Sequence, residues 1–458
     1  MFCSITRLSL ALSFLALAAS AAEKTPAASV DDFLNSIGAT SSVTRRGETR
    51  EGTIKALKYT GLRWLRSGFE EGVPIEDFVA IHRATGARFS YGMLSGHSDV
   101  DRLLRDAKRL ANAGALIALE GSNEPNNFGP IRYKGEVGGL MESWLPVAKM
   151  HRDLYARAKA DPTLKKYPVW SLCEPGAQPD NCGLQFLTIP EGAGTLMPDG
   201  TKFADAATCH NYICHPSWPG IHDNQTWISS RPGRDCKVNG LYTNFGYTWR
   251  NGFRGYSEEE LKTLPRVTTE TGITVGTGES DVTEEMQARM YLNLYLSQFA
   301  QGWSHTAMYL FKGRVDEPDH EAFAFYKLDY TPKQAAHYMH NFTTILNDKK
   351  PVAASAFKKL DYEIPDQPWT THDLLLQRSN GAFCLVLWGE RFKSGGSDDI
   401  TVKLGRPYKR VFVYDPVLGK GIQQTLSETD TIPVSLTDHP VILEITDFLV
   451  PANSPPRR

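Results

Sequence analysis

Two glutamates each close an apolar run, and carboxyls in that position are the residues best placed to do chemistry in this chain. Leu116-Ile117-Ala118-Leu119 leads into Glu120-Gly121-Ser122-Asn123-Glu124-Pro125-Asn126, and Arg266-Val267-Thr268-Thr269 leads into Glu270. A pair of carboxyls can break an acetal: one gives a proton to the departing oxygen while the other attacks the carbon or activates a water. Separation decides the outcome, since roughly 5–5.5 Å suits direct attack with retention and about 6.5–9.5 Å leaves room for water and gives inversion. Glu120 and Glu174 are competing carboxylates, read as structural or substrate-contacting.

The elements that must position these groups follow from periodicity. Strand-like and helix-like segments alternate from about residue 36 to residue 348, the pattern of βα units around a parallel sheet. Strands are expected near Ile37–Val43, Leu62–Ser67, Arg88–Leu94, Leu116–Gly121, Tyr167–Leu172, Ala204–Tyr212, Arg266–Gly272 and Ser304–Lys312. Between them the spacing predicts helices over Arg50–Tyr59, Ile75–Ala84, Val100–Ala113, Trp144–Ala160, Glu284–Phe299 and Pro332–Leu346, with a capping box at Ser257 and Glu260 before a short one. The fifth connection shows no clear helix. Eight such units make a (β/α)₈ barrel, and barrel enzymes place their chemistry where the strands end, which is where Glu124 and Glu270 fall. Beyond residue 349 short alternating runs such as Asp373–Gln377, Ala382–Trp388, Ile400–Lys403, Arg410–Tyr414 and Pro440–Ile445 predict a β-sandwich. The expected fold is α/β, with a signal peptide over 1–21, the barrel over 22–348, the sandwich over 349–450 and a disordered tail over 451–458.

The string Asn123-Glu124-Pro125 ending strand four, with Glu270 ending strand seven, resembles the clan A superfamily of retaining glycoside hydrolases. The look is nearest to family 39 and neighbouring groups that carry a trailing β-domain. That resemblance implies Glu124 as acid/base, Glu270 as nucleophile and Asn123 as the partner of the sugar 2-hydroxyl. Glu124 should then rest protonated, its pKa raised by the charge on Glu270. Arg66 at the end of strand two, the His210-Asn211-Tyr212 spacing after strand six and an aromatic strand eight agree with it. Arg66 could hold Glu270 ionised, Tyr212 could donate to it, and His210 could contact the sugar or orient a neighbour. Strand eight offers Tyr309 near its end and Trp303 before it as further substrate contacts, without the tryptophan many members place at its end.

Composition narrows the partner. Lys+Arg 50 against Asp+Glu 52 leave a net charge of -2, so no strong field draws the chain to nucleic acid, and an oligo- or polysaccharide fits better. An apolar run from Leu8 to Leu17 and Ala19-Ser20-Ala21 read as a cleaved secretory signal, so a secreted or periplasmic protein without a membrane span, acting as a monomer, is expected. In that compartment Cys173 with Cys182 and Cys214 with Cys236 are the expected disulfides, and Cys384 a buried thiol. The cluster Cys209, His210, Cys214, His215, His222 and Asp223 holds zinc-ligand types in no recognised spacing, so neither metal nor cofactor is expected. Aromatic residues between Tyr212 and Tyr256, among them Trp218, Trp227 and Trp249, could wall a sugar cleft. A transglycosylase using the same intermediate, or a non-catalytic carbohydrate-binding barrel, are the alternative functions.

Overall fold

The computed structural model describes residues 25–173, 178–213, 223–231, 253–278, 281–348 and 357–447. Eight parallel strands form the central sheet: β1 (Ile37–Thr40), β2 (Trp64–Phe69), β3 (Arg88–Met93), β4 (Leu116–Ser122), β5 (Val169–Trp170), β6 (Ala207–Cys209), β7 (Arg266–Thr271) and β8 (Trp303–Met308). They pair in the order β6-β7-β8-β1-β2-β3-β4-β5, and a parallel bridge between Trp170 and Ala206 closes the ring. The fold is the expected (β/α)₈ barrel.

Strand alternation decides what fills it, because every second side chain points to the axis. Trp64 and Trp170 meet edge-on at 5.9 Å, with His305 5.4 Å and 5.2 Å from them, and they plug the lower interior. Gly38 on β1 is obligatory there, since a Cβ would lie 2.4 Å from the Trp64 indole. Two residues further along β2 the next inward side chain is Arg66, so the plug supports the floor of the site.

Helices cover the barrel where the periodicity predicts them, at Arg50–Thr60, Ile75–Thr85, Val100–Asn112, Leu145–Ala160, Glu284–Ala300 and Gln334–Ile345. Thr49, Asp99 and Thr283 cap three of them through side-chain oxygens, and the Ser257–Glu260 capping box forms. Residues 178–206 contain no helix, while the polar segment Gln225–Ser230 forms a short one with no periodic signal. No helix among the described residues is long and apolar enough to cross a membrane.

The second domain is a β-sandwich. Strands Thr371–Gln377, Phe383–Gly389, Pro440–Thr446, Asp398–Tyr414 and Ile422–Leu436 lie in that spatial order. The two runs expected at 400–403 and 410–414 are one strand with a register shift between Lys403 and Tyr408. Ile400 and Val402, before the shift, pack with Leu385, Leu387 and Leu443 in one core. Strand Ile422–Leu436 escaped the sequence reading because its first half is exposed and polar. Ala28–Ser29 pairs with the strand Thr371–Gln377, so this early segment, assigned by sequence to the barrel, sits on the sandwich sheet.

Phe383, Leu385 and Leu387 face the sandwich interior, whereas Cys384, Val386 and Trp388 face the barrel core. Just beyond, the buried Glu390 reaches across the interface to the start of the helix Gln225–Ser230. It accepts from Trp227 N at 3.1 Å, Trp388 Nε1 at 3.3 Å and Thr226 Oγ1. Burial outweighs these donors and pushes its pKa up to about 7. An acid raised in the folded state stabilises fully below its unfolded pKa, and that contribution is lost as pH rises through the folded value. The unfolding free energy should therefore fall by on the order of 3 kcal/mol between about pH 5 and pH 8 through this group. In urea titrations E390Q should flatten that fall, and an unchanged pH dependence would remove Glu390 as its cause.

Candidate active site

Arg66 is the hub. Its guanidinium is buried, with Nε 3.0 Å and 3.1 Å from the Glu120 oxygens and Nη2 2.8 Å from Glu120 Oε1. Nη2 also donates to Asn123 Oδ1 at 2.8 Å, and Nη1 donates to Glu270 Oε1. One planar fork thereby joins β2, the end of β4 and β7. Glu120, read from sequence as a competitor, is the counter-charge that seats Arg66.

Glu270 also accepts from the Tyr212 hydroxyl at 2.9 Å. Across the cleft, one oxygen of Glu124, one of Glu270 and a His210 ring nitrogen lie within 4.8 Å of one another. Glu124 has a φ of 40°. That left-handed conformation costs a non-glycine residue about 1–3 kcal/mol and is held only by its surroundings. Here its N–H donates to Cys173 Sγ at 2.9 Å and its carbonyl accepts from Asn127 N and Phe128 N at 2.9 Å each.

The His210 ring beside it lowers the Glu124 pKa, against the rise expected from Glu270 alone. Burial raises the Glu124 pKa, but the hydrogen bond from His210 and its charge, with Asn127 Nδ2 at 2.8 Å, bring it down to about 2. Burial opposes a charge on His210, yet the surrounding Cys173, Glu270 and Glu124 raise its pKa well above the ordinary value. His210 Nδ1 lies 2.6 Å from Glu124 Oε1 and Nε2 lies 3.2 Å from Thr269 Oγ1, and the lowered carboxyl and raised imidazole both favour the shared proton on His210.

Around this centre Thr40, Ser41, Ser42, Leu94, Ser95, His97, Phe128, Tyr309 and Phe323 help line a cleft of about 400 Å³ that includes both glutamates. Tyr212, Tyr309 and Phe323 meet edge-on at 5.5–6.4 Å, giving the cleft an aromatic side. The structure thus gathers Glu124, Glu270, Asn123, Arg66, His210, Tyr212 and Tyr309. Trp303 is not part of it: at the opposite end of β8 it points outward, packs with Cys209, Leu261 and Leu264, and donates Nε1 to Ser230 O at 2.7 Å.

The Cys173–Cys182 pairing is also corrected. Cys173 lies under Glu124, whereas Cys182 donates to Asp180 Oδ1 at 3.0 Å beside the helix start at Trp144. Cys209 and His210 face opposite sides of their strand, so they share no ligand site. Glu124, His210 and Glu270 are close enough to share a cation. Against it, Arg66 already meets Glu270 and His210 Nδ1 is hydrogen-bonded to Glu124. Trp227 stacks on His372 of the sandwich at 4.2 Å rather than on the cleft. Glu174, Cys214, His215, Trp218, His222, Cys236 and Trp249 fall outside the described residues.

Sequence reading missed Asn127, three residues after Glu124, and the run Arg314, Glu317 and His320 after β8, whose i,i+3 charge spacing was the available signal. Because Arg66 offsets two buried carboxylates, R66M should destabilise the protein by about 3–5 kcal/mol. Adding E120Q removes one orphaned charge and should recover part of that loss in chemical denaturation. No recovery in the double variant would sink the counter-charge role of Glu120.

Comparison of the sequence with family models and with curated proteins finds no match. Solved structures do resemble it. A family 39 glycoside hydrolase from the gut symbiont Bacteroides cellulosilyticus has a TM-score of 0.55 at 15% identity, over 91% of this chain and 82% of that one. The family 51 arabinofuranosidase from Xanthomonas axonopodis pv. citri has a TM-score of 0.52 at 12% identity, over 92% and 98%. With these proteins the chain shares its fold, a barrel followed by a β-sandwich.

Proposed function

We propose that this chain is an exported, monomeric, retaining glycoside hydrolase that cleaves β-glycosidic bonds of an oligo- or polysaccharide. Glu270 attacks the anomeric carbon, and Glu124 acts first as acid and then as base. The observation that carries this reading is the approach of the two carboxylates to within 4.8 Å. Measured between one oxygen of each, that approach supports the ~5 Å arrangement of direct attack over the wider gap of inversion. The apolar N-terminal run supports export.

In the first step the bond from the anomeric carbon to the leaving oxygen breaks as Glu270 forms its ester. The leaving oxygen takes a proton from Glu124, which is resupplied from His210 Nδ1 at 2.6 Å. In the second step water attacks the same carbon and the Glu270 ester breaks. The water proton passes to Glu124 and on to His210, restoring the starting charges. Asn123, its amide fixed by Arg66 Nη2 and by Ser95 Oγ at 3.1 Å, is placed for the sugar 2-hydroxyl.

Proton NMR of the first-formed product should show retained anomeric configuration, and a 2-fluoro glycoside of the accepted sugar should label the peptide containing Glu270. An inverted product, or a label on Glu120, would sink the assignment. The His210 relay makes a separate prediction. Catalysis needs the proton on the pair and is lost as pH rises through the elevated His210 pKa. H210N leaves Glu124 alone to hold that proton, so the alkaline limb of kcat/KM should move to lower pH by at least about one unit. An unmoved limb would assign the proton elsewhere.

A further inference from the structure

One end of the cleft is closed by charged side chains from three loops. Arg46, after β1, sets Nη1 2.7 Å from Glu317 Oε1 and Nε 3.5 Å from Glu70 Oε1, Glu70 following β2. Arg314, after β8, donates Nη1 to Glu317 Oε2 at 2.7 Å and to the Tyr309 hydroxyl at 3.0 Å. His320 Nδ1 lies 2.8 Å from that hydroxyl and 3.1 Å from Glu317 Oε2. The backbone continues the seam, with Val315 N donating to Arg46 O at 3.1 Å. Arg46, Glu70, Arg314, Glu317 and His320 all line the cleft.

The Arg46 loop is anchored. Buried Glu48 accepts from Ser41 Oγ and Ser42 N at 2.6 Å each, and Val43 and Arg46 hold φ of 63° and 55°. A β-branched residue in that region costs about 1–3 kcal/mol and persists only where the surroundings dictate it. Swinging this wall aside would break the Glu48 contacts and the ion pairs together.

In a double displacement the acid stands beside the leaving oxygen, so the departing group lies past Glu124 toward Asn127 and Phe128. The sugar that becomes attached to Glu270 lies on the other side, toward Tyr309 and the charged wall. Resting on the glycosidase reading above, we infer that Arg46, Arg314 and Glu317 form the end of a one-sugar pocket, so that the enzyme removes single sugars from the non-reducing end. A cleft of about 400 Å³ is at the small end of ligand sites, consistent with one ring and the start of a second. Arg314 Nε, buried and without a hydrogen-bond partner among the described residues, is a donor that a hydroxyl of the terminal sugar would satisfy.

The test uses the full chain and tetrasaccharides labelled at the reducing end: β-1,3- and β-1,4-linked glucose, β-1,4-linked xylose and β-1,4-linked mannose. Aryl glycosides of the same sugars run in parallel. Wild type should release only the monosaccharide and a labelled chain shorter by one, and should spare tetrasaccharides blocked at the non-reducing end. The double variant R46S/E317S should raise KM for the accepted aryl glycoside about tenfold with kcat changed less than about threefold, and should begin to cut the blocked chain. Release of di- or trisaccharides by wild type overturns the pocket and leaves the glycosidase reading standing. No turnover of any glycoside sinks that reading and the pocket with it.

Discussion

The site depends on where a buried guanidinium can be placed. Arg66 touches Glu120, Asn123 and Glu270 at once, and three strands are locked in relative position by that contact. Taking a cation and two carboxylates out of water costs several kcal/mol per ion, and mutual attraction offsets this only when geometry and remaining hydrogen bonds are satisfied. Such a cluster contributes little net stability. Its value is positional, since a planar fork fixes carboxylate orientation in a way that a lysine ammonium does not. The aromatic plug below makes the arrangement possible: Trp64 and Trp170 fill the lower barrel, and Arg66 is the next inward residue on its strand.

The sandwich belongs to the same construction. Its strand Phe383–Gly389 is buried on both faces, one set of residues in the sandwich core and the alternate set against the barrel helices. Both faces being apolar, the strand shows no polar alternation, the pattern of a central strand covered on two sides. Glu390 at its end organises the short helix after β6, in the connection that follows His210 and Tyr212. The second domain therefore packs on the connection after β6, and none of its described residues lines the cleft.

The barrel was legible because the strands follow apolar runs and half of the main helices carry side-chain caps, so local propensity and pattern agree with the fold. The glutamates and Tyr212 were legible because each stands at or just past a strand end, and Arg66 because it is a lone charge in an apolar strand. Strand Ile422–Leu436 and the helix Gln225–Ser230 were not, because their partners, distant in sequence, supply what their own residues lack. Cys173 and Trp303 misled for a related cause. Spacing along the chain suggested a disulfide and the resemblance suggested a sugar contact, but side-chain direction puts Cys173 beneath Glu124 and Trp303 against the helices.

On the proposed mechanism, charge balance explains why a pair of residues supplies the acid. With His210 carrying the resting proton, two cations, Arg66 and His210, face three carboxylates, Glu120, Glu124 and Glu270, leaving one negative charge in excess. On the proposed mechanism, glycosylation of Glu270 removes one carboxylate, and delivery of the proton to the leaving group removes the charge on His210. The excess of one is the same before and after, so the buried centre passes through the step without changing its net charge. A lone Glu124 acid would have the same bookkeeping, but its proton would sit on a strained residue whose N–H and carbonyl are already committed. Placing it on His210, held between Glu124 and Thr269, lets Glu124 remain a carboxylate between turnovers and pass the proton in both directions through one 2.6 Å contact.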